Sequence, residues 1–118
     1  MSDAYELFQQ GRHHLRNGMP AQATVALEKA KRHEPEKASI REALGIAYLR
    51  LRRYDEAAAE FRKILELSPA DDFAHYGLGR CLEAQGRRVE ANGHYKLARS
   101  LRPDREAYAA RIVDVEAS

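Results

Sequence analysis

The chain has no tryptophan, a single cysteine, two methionines and four prolines in 118 residues. The lone Cys81 has no partner for an internal disulfide, which fits a reducing compartment. No stretch approaches the roughly 18 consecutive apolar residues of a membrane span. The N-terminal MSDAYELFQQ lacks the basic segment and apolar run of a secretory signal. An excess of one charge is also missing, since 20 basic residues face 18 acidic ones for a net charge of +2. The 15 arginines against 5 lysines therefore give no reason to expect a general nucleic-acid binder. With 44% hydrophobic and 32% charged residues, the composition is that of a folded chain. A soluble, cytoplasmic protein forming one domain over residues 1–118 is expected.

What is present is periodic. Pro35, Pro69 and Pro103 lie 34 residues apart, as do Gly11, Gly45, Gly79 and Ala23, Ala57, Ala91. Each unit, about 4–37, 38–71 and 72–105, holds two patterns of helical spacing with a short break between them. In the middle unit Ile40, Leu44, Ala47, Tyr48 and Leu51 form one stripe, and Ala57, Ala58, Phe61, Ile64 and Leu65 the other. The breaks are RNGMPAQ, LRRYDEA and AQGRRVE. Gly18 and Gly86 suit a left-handed turn, Pro20 suits a first helical turn, and Asp55 is expected to cap the fourth helix. Each unit-ending proline lacks an N–H and pushes Glu34, Ser68 or Arg102 toward extended backbone. A seventh helix over about 104–117, capped by Asp104, presents Tyr108, Ile112 and Val115 as an apolar stripe, with Val113 off it. Such a helix covers the last pair, as the end of a stack requires. The start at Met1 and this terminal helix lead to the expectation of a complete protein.

The pattern resembles the tetratricopeptide repeat. The second unit carries Leu44-Gly45, Tyr48, Ala57, Phe61 and Pro69, and the third Leu78-Gly79, Leu82, Ala91, Tyr95 and Pro103. The first carries Gln10-Gly11, His14, Ala23, Leu27 and Pro35. Arg41 and His75 replace the first large apolar residue, where Leu7 conforms. The resemblance covers about residues 4–105. It implies an all-α solenoid of three helix-turn-helix repeats wound as a right-handed superhelix, with the terminal helix as a cap. A glycine inside a helix costs about 0.5–1 kcal/mol against alanine, which a close approach of helices can offset. Ala23, Ala57 and Ala91 are expected to face those glycines, with Tyr48, Phe61 and Tyr95 filling the gaps between successive pairs.

Catalytic spacing is absent. His13 and His14 point about 100° apart on one helix, and His13 with His33 makes only two ligands, so no metal site is expected. His14 is assigned to core packing and Cys81 to a packed helix. Gly77-Leu78-Gly79 lacks the strand and third glycine of a dinucleotide loop, and Asp71-Asp72 reads as a helix start. Neither an enzyme nor a cofactor is expected.

The resemblance implies a concave groove lined by the first helix of each unit. The positions it projects are Tyr5, Phe8, Arg12, Leu15 and Arg16, then Ser39, Glu42, Ile46, Leu49 and Arg50, then Phe73, Tyr76, Arg80, Glu83 and Ala84. The expected peptide site consists of Tyr5, Phe8, Arg12, Arg16, Ile46, Arg50, Phe73, Tyr76 and Arg80. Arginine pairs with carboxylates and stacks on aromatic rings, so a protein or peptide with acidic and apolar side chains is expected. The family's chaperone-tail clamp maps onto Phe8, Arg12, Ala43, Phe73 and Gly77, of which only Arg12 is polar, so that mode is not expected. Two other readings stand beside this one. One is homo-oligomerisation through the ends of the array, near Tyr5 and Phe8. The other is RNA binding, since the third unit has 7 basic against 4 acidic residues.

Overall fold

The computed structural model describes residues 3–113. Among them there are seven helices and no strand. They are α1 (Ala4–Arg16), α2 (Pro20–His33), α3 (Ala38–Arg50), α4 (Tyr54–Leu67), α5 (Asp72–Ala84), α6 (Arg88–Leu101) and α7 (Glu106–Ala110). α1, α3 and α5 each pack against the helix that follows, each hairpin packs on the next, and α7 packs on α6. The result is an elongated stack of 55 × 24 × 22 Å. Its radius of gyration of 14.7 Å exceeds the roughly 13.5 Å of a compact chain this long. No helix of the described residues is long and apolar enough to cross a membrane.

Two kinds of connection alternate. Within each hairpin a left-handed residue ends the first helix: Gly18 at φ 70°, Arg52 at φ 59° and Gly86 at φ 81°. The following amides of Met19, Arg53 and Arg87 return to the carbonyls of His14, Tyr48 and Leu82 at 2.8–2.9 Å, closing the same C-terminal turn three times. Between hairpins the proline turns the preceding residue out of the helix, but only part of the way to extended backbone. Glu34, Ser68 and Arg102 have φ of −136°, −147° and −137° with ψ of 77°, 88° and 76°.

Capping departs from expectation at two positions. Asp71 caps α5 by accepting from the Ala74 amide at 2.9 Å, and Asp3 does the same for α1. Asp55, however, lies inside α4, whose N-cap is Arg53; its carboxylate accepts from Gln85 instead. The turn after α3 is so short that Arg53 already offers its carbonyl to Ala57, one residue pair before Asp55 is available. Asp104 is likewise displaced by Arg105 at the cap of α7 and is held in a two-pronged ion pair by Arg102.

Four of the helical glycines, Gly11, Gly45, Gly77 and Gly79, are covered by bulky side chains. A Cβ on Gly45 would meet the Phe61 ring, one on Gly79 the Tyr95 ring, and one on Gly11 the Leu27 side chain. The covering residue thus comes from the second helix of the same hairpin, one turn beyond the expected alanines, because only a long side chain fills the space. Phe61 also covers Gly77 of the next hairpin and meets Phe73 edge-on at 6.1 Å, so it locks two hairpins together. Tyr48 bridges hairpins too, donating to Glu28 at 2.7 Å. Tyr95 instead fills its own hairpin, against Tyr76 and Glu83.

One position shows three solutions to the same packing problem. Leu7 and Ala26 are both buried and apolar. At the same interval Arg41 meets the buried Glu60 at 2.9 Å, with Lys31 on its other oxygen at 2.8 Å. In the third hairpin the pair is His75 and His94, whose Nδ1 atoms are 3.1 Å apart. Their ring centres are 5.3 Å apart, longer by about two ring radii, so the rings meet edge to edge. Pro69 O can only accept, so His75 donates to it from Nε2 at 2.9 Å, and His75 Nδ1 is left to accept from His94.

The two ends differ. His14 is half-buried at the open edge of α1, outside the core cluster, with Nδ1 shielded and lacking a protein partner. Leu82 holds the same position in the third unit and is buried, because a preceding hairpin lies against it. At the other end Tyr108 is 2% exposed and donates to Asp72 at 2.6 Å, while Ile112 packs on the core. The helix expected over 104–117 ends at Ala110, because Asn92 accepts the Val113 amide at 2.9 Å and draws the chain out of helical register. Val113 is exposed, and Val115 lies outside the described residues.

Candidate functional site

A cleft of about 390 Å³ lies between α1 and α3. Phe8, Leu15, Ala43 and Ile46 supply its apolar part, and Arg12, Arg16, Arg50, Ser39 and Glu42 its polar part. The cleft exists because α1 and α3 are both first helices, separated by the α2 that completes the first hairpin. Their outward residues recur at helical spacing, so Phe8, Arg12 and Leu15 share one face, opposite Ile46 and Arg50.

The charges within it are unevenly committed. The Arg12 guanidinium lies over the Phe8 ring at 5.5 Å. Arg50 donates to the Leu15 carbonyl at 2.8 Å, tying the end of α3 to α1. Glu42 is half-buried and makes neither an ion pair nor a hydrogen bond among the described residues. Burial first, then the negative charges of Asp71 and Asp72, hold its carboxyl above the usual range.

Of the nine expected site residues, Phe8, Arg12, Arg16, Ile46 and Arg50 line this cleft. Arg80 lines a second cavity of about 340 Å³ with Leu49, Tyr54, Glu83, Ala84 and Arg111. Phe73 and Tyr76 line neither; they belong to an aromatic run that continues to Tyr108 at 5.0 Å from Tyr76. Tyr5 is 67% exposed beside Gln9, Gln10 and His13, away from the cleft. Tyr54 and Arg111 escape a reading based on first helices alone, since they come from α4 and the segment after α7.

Nucleophilic chemistry is disfavoured at the single thiol. Cys81 is fully buried, and burial pushes its thiol up to about 11. Among the described residues no three His, Cys, Asp or Glu side chains are placed to hold a metal.

Helix hairpins stacked in one direction, with first helices lining an open face, define an α-solenoid. The tetratricopeptide repeat profile matches residues 8–72, and a second profile of that description matches residues 51–112. The chain belongs to the tetratricopeptide repeat family. It is 32% identical over 94 residues to superkiller complex protein 3 of Mus musculus, covering 80% of this chain but only 6% of that protein. Among solved structures, the first repeat domain of Spaghetti (RPAP3) bound to the HSP90 peptide SRMEEVD superposes with a TM-score of 0.89. That likeness is at 19% identity and covers 93% of this chain and 87% of the other. YrrB, described as having an unusual peptide-binding site, also gives 0.89 at 20% identity, covering 93% of this chain and 57% of the other. At these identities the likeness is one of fold.

Proposed function

We propose that this chain is a non-catalytic interaction module that binds a segment of another protein in the cleft between α1 and α3. The observation that carries this reading is an open, partly apolar cleft whose rim holds Arg12 and Arg16, neither in an ion pair among the described residues. Solvated guanidiniums beside an apolar floor suit a ligand with carboxylates and a few apolar anchors. Peptide binding by the structurally similar RPAP3 domain and YrrB supports the class of ligand. The chaperone-tail clamp is not the mode proposed. Two of its five positions, Ala43 and Gly77, are buried, and the Phe61 ring occupies the space over Gly77.

The rivals have less support. The open edge of α1 presents Tyr5, 67% exposed, among Gln9, Gln10, His13 and His14, and Phe8 faces the cleft, so end-to-end association there would rest on one aromatic side chain. For RNA, Arg87 and Arg102 of the third unit are already paired with Glu90 and Asp104. The test is capture of proteins from lysate on the immobilised chain and on its Arg12→Ala/Arg16→Ala variant. Loss of the bound set in the variant is expected; an unchanged set would refute the reading.

A further inference from the structure

The two sides of the cleft differ in charge. Arg12 and Arg16 project from α1. Across from them, on α3, stand Glu42, with Asp71 and Asp72 close enough for their charge to act on it, and Arg50, whose guanidinium is tied to the Leu15 carbonyl at 2.8 Å. The three acids are not equivalent. Asp71 is occupied by the Ala74 amide and Asp72 by the Tyr108 hydroxyl at 2.6 Å. Glu42 alone has no partner among the described residues, although it is half-buried. A partly desolvated carboxylate without a donor is costly, and a cation beside it relieves that cost.

We infer that the segment bound in the cleft carries unlike charges, an acidic residue for Arg12 and Arg16 and a lysine or arginine for Glu42. This rests on the cleft being the binding site and specifies its occupant by charge complementarity. A uniformly acidic segment would meet the arginines but set a like charge against Glu42, which costs affinity and discriminates between ligands. The raised affinity of Glu42 for protons agrees with the arrangement, since a cationic partner side chain would stabilise its ionised form.

Fluorescence anisotropy with labelled ten-residue peptides tests the inference. All share one Leu-Phe centre. Two carry a pair of Asp on one side and a pair of Lys on the other, in opposite orders; a third carries Asp on both sides. One of the mixed peptides is expected to bind at least about fivefold more tightly than the all-acidic one, the factor that roughly 1 kcal/mol provides. Glu42→Gln should erase that preference while leaving the all-acidic peptide bound as well or better. The inference is overturned if neither mixed peptide outbinds the all-acidic one, if neither binds, or if the preference survives Glu42→Gln. Arg12→Ala/Arg16→Ala separates the two readings. Mixed-peptide binding that persists in this variant but is lost in Glu42→Gln would refute the arginine cleft and leave the role of Glu42 standing.

Discussion

Gly77 and Gly93 both lie inside helices, α5 and α6, yet alanine should have opposite effects at the two. At Gly93 a Cβ meets nothing within 4 Å. Only the backbone gain remains, and Gly93→Ala should stabilise by about 0.5–1 kcal/mol. At Gly77 the new carbon would sit 2.5 Å from Cε1 and Cζ of Phe61. That ring is fully buried and already pressed on Gly45, so it cannot swing away. Overpacking costs about 1–3 kcal/mol, and a contact this short against an immobile ring belongs in the upper part, about 2–3 kcal/mol; less a backbone gain of about 1 kcal/mol, the net loss is about 1–2 kcal/mol. For a chain this long, 1 kcal/mol moves the midpoint by roughly 4 °C. Far-UV circular dichroism should therefore show Gly93→Ala melting about 2–4 °C higher and Gly77→Ala about 4–8 °C lower. Phe61→Leu removes the obstructing ring, so Gly77→Ala should cost at least about 1 kcal/mol less in that background. If Gly77→Ala raised the midpoint as Gly93→Ala does, the interlocking of hairpins through Phe61 would be refuted.

Further expectations follow the same physics. Arg52→Gly should stabilise by about 0.5–1 kcal/mol in urea denaturation, since a non-glycine residue in the left-handed region is strained and Gly18 and Gly86 fill the equivalent turns. Glu60→Gln should cost about 1–3 kcal/mol, because it leaves the partly buried Arg41 without its carboxylate and Lys31 with Glu28 alone. Acid should weaken the third hairpin. Burial first, then His75 and Arg62, hold His94 below its ordinary value of 6.5, with Glu90 opposing. The unfolded chain then binds the proton more tightly, so stability is complete above pH 6.5 and falls as the pH drops below it. His94→Gln should flatten this slope between pH 7.5 and 5.5, whereas a stability that rose on acidification and was unaffected by His94→Gln would refute the pairing. Glu42, held above its usual range, pulls the other way, which is why the comparison with His94→Gln is needed.

The 34-residue interval made the helices legible, because glycine, alanine and proline act through the backbone wherever they stand. The non-helical backbone at Glu34, Ser68 and Arg102 follows from the proline after each, with no reference to distant contacts. The caps were less legible. Asp55 and Asp104 are good capping residues by type, but where a helix restarts depends on how the preceding turn closes. Arg52 hides a left-handed turn that glycine advertises at its two equivalents. Arg41 and His75 looked like flaws in the pattern until Glu60 and His94 were seen beside them, since a pair 19 residues apart leaves no trace in one helix's periodicity. The cleft was half legible: all nine residues were projected from the family resemblance, and five of them line it. Tyr5 lies past the edge of the cleft, and Phe73 is drawn into packing by Phe61.

The most direct test of the central claim is site-specific photo-crosslinking in cells. Benzoylphenylalanine is placed at Ser39, exposed within the cleft, or at Val25, 60% exposed on α2 outside it. The account predicts protein adducts from Ser39 that disappear when Arg12 and Arg16 are alanine, and none from Val25. Adducts from Val25 with none from Ser39 would contradict it.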